Sequence, residues 1–114
     1  MESITDLING YKIYQYENEF KFSVDAVLLA GFIERMKNEK VLEIGGGTGV
    51  ISILLLAYEK NINSKITILE IQKKMSDLIE KNLEINDCRS LIEVINIDVK
   101  NYGAGNSFDT VFSN

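Results

Sequence analysis

Four polar side chains, Glu43, Glu70, Asp98 and Asn114, each fall at or near the end of a short apolar run. Val41-Leu42-Glu43-Ile44 stops abruptly at Gly45-Gly46-Gly47-Thr48-Gly49, Lys65–Leu69 ends in Glu70, Leu91–Ile97 ends in Asp98, and Thr110–Ser113 ends in Asn114. Glycine reaches positive φ and carries no Cβ, so a turn built from it lets backbone approach a ligand closely. The spacing is Glu-x-Gly-x-Gly-x-Gly from Glu43 to Gly49. A phosphate-cradling loop would end in Gly-Lys-Ser/Thr, which is missing, and a dinucleotide fingerprint started at Gly45 would need glycine where Val50 stands. On spacing alone, the same turn also serves a simple strand-to-helix connection.

Charge narrows the ligand. A carboxylate at the tip of the second strand, Glu70, is placed to accept two hydrogen bonds from a ribose diol. Asp98, at the next tip, can accept from an adenine amino group or cap a loop. Three acids around one glycine turn would repel a polyphosphate. They suit a nucleoside that carries positive charge, such as S-adenosylmethionine with its sulfonium and ammonium groups.

These tips need elements to hold them. Lys65-Ile66-Thr67-Ile68-Leu69 is a β-branched strand, and the Val50 to Ala57 stretch is apolar all round, which suits a helix buried against a sheet or, read alone, a buried strand. From Gln72 to Asn86 the apolar residues Ile71, Met75, Leu78, Ile79 and Leu83 recur at helical spacing, with Lys73–Asp77 and Asp77–Lys81 pairs on the solvated face. Upstream, residues 11–22 hold five aromatics separated by polar residues, which predicts a short aromatic hairpin or an extended lead-in with Glu17-Asn18-Glu19 as the turn. Ser23 caps a helix to about Phe32, with Asp25 at the positive end of its dipole and Val24, Val27, Leu28, Gly31 and Phe32 as its packing stripe. The resulting order, β-α-β-α-β-β with helices at crossover lengths, implies parallel strands joined by right-handed crossovers in an open α/β sheet. Ligands bind outside the carboxyl ends of such strands, where these polar residues gather.

Glu43-Ile-Gly-Gly-Gly-Thr-Gly49, Ile68-Leu-Glu70-Ile-Gln72, Ile97-Asp98 and Phe108-Asp-Thr-Val-Phe-Ser-Asn114 resemble successive motifs of the class I S-adenosylmethionine-dependent methyltransferases. Phe20-Lys-Phe-Ser-Val-Asp-Ala-Val-Leu-Leu-Ala30 is similar to the N-terminal signature of the bacterial tRNA (adenine-N6)-methyltransferases that modify a valine tRNA. The resemblance implies a Rossmann-like α/β fold, a parallel sheet with helices on both faces, with its C-terminal part missing. Residues 1–33 are expected to form a segment of short strands and a helix that closes the cofactor pocket, and residues 34–114 the cofactor-binding half. It further implies that Gly45, Gly47 and Gly49 lie under the methionine moiety of S-adenosylmethionine, with Glu43 near its ammonium. Glu70 maps to the ribose hydroxyls and Asp98 to the adenine amino group. Phe22, Ser23 and Asp25 map to the closing wall of the pocket, although Ser23 and Asp25 serve equally as helix caps.

The strand-four motif of that family is Asn-Pro-Pro-Tyr/Phe, and the chain stops on its first residue. Asn114 is therefore the expected catalytic residue, accepting a hydrogen bond from the target amine. The implied activity is N-methylation of adenine in tRNA by in-line displacement, without a metal or covalent intermediate. The same motif also serves protein-glutamine or other amide N-methyltransferases, and the chain alone reads as a catalytically silent cofactor-binding fragment.

Composition sets limits on the remaining classes. The 114 residues carry a net charge of −5, one cysteine and no histidine, tryptophan or proline. Without histidine, a Ser-His-Asp triad, a Cys-His dyad and His-ligated zinc are excluded within these residues. A lone Cys88 forms no internal disulfide and suits a reducing, cytoplasmic compartment. No basic leader or membrane-length apolar run is present, so no membrane partner is expected. Typical usage of ~5% predicts about five or six prolines in such a chain, and a stop before the Pro-Pro pair accounts for part of that absence. A negative net charge argues against unaided RNA binding. Lys12, Lys21, Arg35, Lys37 and Lys40, interleaved with Tyr11, Tyr14 and Tyr16, are the cations available to a tRNA, or simply solvated lysines around a core-facing aromatic hairpin.

Overall fold

A computed structural model describes residues 2–16, 24–32, 40–58, 65–103 and 108–113. Strands β1 (Glu2–Asp6) and β2 (Lys12–Tyr16) form an antiparallel hairpin, followed by helix α1 (Val24–Phe32). The remaining elements are β3 (Lys40–Ile44), α2 (Val50–Tyr58), β4 (Lys65–Leu69), α3 (Lys73–Ile85), β5 (Ile92–Ile95) and β6 (Thr110–Ser113). The four later strands make one parallel sheet in the order β5-β4-β3-β6. The chain steps outward from β3 to β5 and then returns to the other side of β3. That reversal opens the ligand crevice typical of such sheets beside the carboxyl end of β3.

The apolar run forms a helix, and every residue from Val50 to Ala57 is buried. A helix apolar all round needs cover on every side. Helix α1 packs along it, and the tight turn at Ile8–Gly10 packs at its end, where Asn9 Nδ2 donates to Ala57 O at 2.7 Å. Helix α1 faces the core through Ala26 and Ala30, whereas Leu28 is 57% exposed. The expected stripe is thus corrected: small alanines allow close approach to α2, and Leu28 turns outward while Val27 packs at the margin of the core.

The hairpin also differs from expectation. Strand β2 pairs with the upstream strand β1, a partner not expected, while the expected turn at Glu17-Asn18-Glu19 lies outside the described residues. The reversal is made by Asn9 and Gly10, both at positive φ, the Asn-Gly pair that favours tight reversals. Ile13 from β2 is fully buried in the same core as Val41, Ile53, Ile68 and Ile79. Tyr14 and Tyr16 lie half-buried on the other side of β2 under the ammonium groups of Lys81 and Lys74, at 4.1 and 4.4 Å from the ring centres. Lys73 pairs with Asp77 as expected, but Lys81 pairs with Glu2 across to the hairpin. Strand β5 is shorter than the expected Leu91–Ile97. Beyond it, Glu70 N still donates to Ile95 O and Ile97 N to Glu70 O, and Asn96 Nδ2 donates to Glu70 O and Ile71 O at 2.8 and 3.0 Å, tying the ends of β4 and β5 together.

Cys88 is buried, and burial first, then Asp87, pushes its thiol up to about 11, so it is a poor nucleophile at neutral pH. No helix among the described residues is long and apolar enough to cross a membrane.

If the hairpin shares the core, Ile13→Ala lowers the stability of the whole domain by about 2–5 kcal/mol in a single urea transition. An unchanged midpoint would show that the hairpin is peripheral.

Candidate functional site

The glycine turn leaves β3 and immediately bonds to the end of β4. Gly45 N donates to Leu69 O at 2.8 Å, and Gly47 N donates to Glu70 Oε1 at 3.0 Å. The other Glu70 oxygen accepts from Gln72 N at 2.9 Å, at the N-cap of α3. Glu70 is therefore a fixed, buried carboxylate with two backbone donors. A carboxylate has about four lone-pair sites, so two stay available for further donors.

Gly45, Gly47 and Gly49 have φ of 75°, 59° and 83°, the left-handed region that disfavours side chains. A Cβ built on Gly45 or Gly47 would meet nothing within 4 Å, so both present bare backbone to open space. Gly46 is different. Its Cβ would lie 2.3 Å from Ile68 Cγ2 and 2.9 Å from Ile79 Cδ1, so glycine is required there by space and not by φ. A Cβ on Gly49 would lie 3.3 Å from Ile79 and 3.8 Å from Ile53, which brings α2 and α3 together under the turn.

Glu43 lies beneath this turn and is 1% exposed, with Oε1 accepting from the buried Ser52 hydroxyl at 2.6 Å. Burial raises its carboxyl to about 8, offset in part by the Ser52 hydrogen bonds and reinforced by Glu70. At pH 7 Glu43 is thus mostly protonated. Asp98 is half-buried and caps a short turn at Val99–Asn101, with Oδ1 accepting from Lys100 N at 3.0 Å. The loop-cap alternative is realised in this geometry. Asp25 lies in the first turn of α1 and is exposed. Phe22, Ser23 and Asn114 lie outside the described residues.

The structure therefore brings together Glu43, Gly45, Gly47, Gly49 and Glu70, with Asp98 one strand further along the same carboxyl edge. Several supporting groups are not obvious from strand-end spacing. Ser52 anchors Glu43, Gly46 lets the turn lie flat on Ile68, and Asn82 of α3 donates Nδ2 to Thr48 O at 2.9 Å. Sequence reasoning missed Asn82, for which an asparagine amid the apolar stripe Leu78, Ile79 and Leu83 was the available signal. Thr48 Oγ1 is buried beside the same turn without a hydrogen-bond partner among the described residues. Open backbone at positive-φ glycines, a fixed carboxylate with spare acceptor capacity and an unsatisfied hydroxyl form a cradle suited to the sugar and amino-acid parts of a nucleoside ligand. Among the described residues no group of three or more His, Cys, Asp or Glu could hold a metal ion.

Two outcomes test this geometry. Gly46→Ala forces the buried Ile68 and Ile79 side chains to move and costs about 1–3 kcal/mol of stability in denaturant melts. Unchanged stability would refute the close contact. For Glu43, both folded and unfolded chains are protonated below its ordinary value of 4.5, and only the unfolded chain ionises between there and about 8. Stability contributed by this group accordingly falls as pH rises through that window. Glu43→Gln flattens the loss, so the variant gains relative to the native protein at pH 8 and not at pH 4; parallel pH profiles of the unfolding midpoint would contradict this.

Residues 21–114 match the family model described as the methyltransferase small domain. The chain is 26% identical over 104 residues to the tRNA1(Val) (adenine(37)-N6)-methyltransferase of a Flavobacteriaceae bacterium, a match covering 91% of this chain and 44% of that protein. It is 27% identical over 104 residues to the enzyme of the same name from Bacteroides thetaiotaomicron, with the same coverage. The chain thus spans less than half the length of these curated relatives. Among solved structures, TYW2 of P. horikoshii in complex with MeSAdo superposes with a TM-score of 0.78 at 20% identity, over 96% of this chain and 41% of that one. The complex of aTrm5 with tRNALeu gives 0.75 at 23% identity, over 96% and 31%. These likenesses establish a class I methyltransferase-like fold. With the family model covering most of its length, the chain belongs to the methyltransferase small domain family.

Proposed function

We propose that this chain forms the cofactor-binding part of an S-adenosylmethionine-dependent N-methyltransferase that acts on the exocyclic amine of adenine in tRNA. The observation that carries the cofactor reading is the pairing of Glu70 with the glycine turn. Gly47 N fixes one Glu70 oxygen, Gln72 N fixes the other, and bare backbone at Gly45 and Gly47 lies alongside. The names of the curated relatives support the tRNA substrate.

S-adenosylmethionine supplies an electrophilic methyl group on a sulfonium centre. The protein's own residues bind and align. Glu70 accepts from the ribose hydroxyls through its spare lone pairs, and Asp98 accepts from the adenine amino group while retaining its bond from Lys100 N. Gly45, Gly47 and Gly49 underlie the methionine portion. Glu43, held against Ser52 beneath them, is the acid nearest the ammonium. Phe22, Ser23 and Asp25 close the pocket from the N-terminal side. Asn114 accepts a hydrogen bond from the target amine and orients its lone pair for attack, so the rate advantage comes from alignment and desolvation of a neutral nucleophile. An RNA base must leave its stack to reach this point, and a single-stranded loop permits that at small cost.

On this reading the chain binds the cofactor. Isothermal titration with S-adenosylhomocysteine tests the binding. Saturable heat is expected, and a folded sample that binds NAD and not S-adenosylhomocysteine would overturn the assignment. Glu70→Ala weakens that affinity roughly tenfold to a hundredfold, from loss of charge-assisted bonds to the sugar. Substrate class is tested by transfer of labelled methyl to tRNA or to protein by a longer form containing the whole motif. Label in N6-methyladenosine is expected, and label in protein alone would support the amide reading instead.

A further inference from the structure

Asn82 joins two parts of the molecule that are far apart in sequence. It is fully buried on α3, between Leu78, Ile79 and Leu83. Its Oδ1 accepts from Tyr14 N at 2.6 Å, and its Nδ2 donates both to Tyr14 O at 3.1 Å and to Thr48 O at 2.9 Å. One turn later, Asn86 repeats the first half of the pattern. Its Oδ1 accepts from Lys12 N at 2.9 Å, and its Nδ2 donates to Lys12 O at 2.6 Å and to Asn82 O at 2.8 Å. The two amides thus satisfy the free edge of β2 as a neighbouring strand would, at alternate residues 12 and 14. Only Asn82 reaches further, to the glycine turn.

We propose that Asn82 is a positioning residue for ligand binding, coupling the docked N-terminal hairpin to the glycine turn through Thr48. The inference rests on the cofactor reading above. Thr48 O lies between Gly47, whose N–H is bonded to Glu70, and Gly49, whose N–H is bonded to Gly46 O. Fixing the Thr48 carbonyl fixes the Thr48–Gly49 peptide plane, whose N–H in turn bonds Gly46 O; the Gly46 carbonyl shares its plane with the Gly47 N–H held by Glu70, so the planes before Gly47 and after Thr48 are both tethered. A turn rich in positive-φ glycine has many accessible conformations, and an external bond at its centre removes much of that freedom before a ligand arrives. Both protons and one acceptor site of the Asn82 amide are engaged, so no other side chain of its size could make all three contacts.

Asn86 supplies the internal control, because it grips the same strand without touching the turn. Asn82→Ala and Asn86→Ala are both expected to lower the unfolding midpoint. Asn82→Ala alone is expected to weaken S-adenosylhomocysteine about tenfold and to speed amide hydrogen exchange at Gly47 and Gly49. Asn82→Asp gives a second, nearly isosteric test. It keeps an acceptor for Tyr14 N but sets oxygen against the Thr48 and Tyr14 carbonyls, so it should reproduce the affinity loss in a protein whose fold is verified by circular dichroism. Native-like affinity in either folded Asn82 variant, or equal affinity losses for Asn82→Ala and Asn86→Ala, would overturn the proposal. A native protein that fails to bind S-adenosylhomocysteine would instead remove the cofactor reading, and the proposal with it.

Discussion

Position 46 has room for a hydrogen and nothing larger. With Ile68 Cγ2 and Ile79 Cδ1 closing on the site where a Cβ would stand, the chain leaving β3 lies directly on the sheet and on α3. Its neighbours follow from that seating: Gly47 N comes within reach of Glu70, Thr48 O within reach of Asn82, and α2 begins at Val50 close enough for Ser52 to bond Glu43. A turn lifted by the width of one methyl group would stretch these contacts together. The glycines on either side serve another need, since their positive φ lets the backbone curl around open space.

Two glutamates on adjacent strands are held by different partners. Glu43 is enclosed by apolar residues with a serine as its neutral partner, so burial dominates and its proton is retained to about pH 8. Glu70 is also buried, but it sits where the turn and the start of α3 converge and it accepts from two backbone N–H groups. Counting acids along the sequence overstated the negative charge that faces a ligand, because one of the three lies neutral beneath the turn.

The hairpin is bound to the domain by unlike interactions on its several sides. Ile13 enters the core, Asn82 and Asn86 satisfy the β2 edge, and Lys74 and Lys81 cover Tyr16 and Tyr14. Strand edges left bare invite pairing with other chains, and side-chain amides from α3 occupy this one at Lys12 and Tyr14. Of the cations named for a nucleic-acid surface, Lys12 and Lys40 are exposed and Lys21, Arg35 and Lys37 lie outside the described residues, while Tyr14 and Tyr16 are covered by other lysines, Lys81 and Lys74.

The amino-acid sequence by itself determined the strands β3, β4 and β6, the helix α3, their parallel order and the gathering of Glu70, Asp98 and the glycine turn at one edge. Those features follow from local periodicity and from the rule that α/β sheets present their strand tips together, so they are legible residue by residue. The β-α-β order placed a helix at Val50 to Ala57, but the run's own pattern left a buried strand open, because an apolar run has no period to read; tertiary structure closed that alternative. It also decided that β2 pairs upstream, that α1 packs through Ala26 and Ala30, that Glu43 is neutral, and that Asn82 holds the turn. Each of these depends on partners separated by many residues, whose distances and burial exist only once the chain has closed on itself.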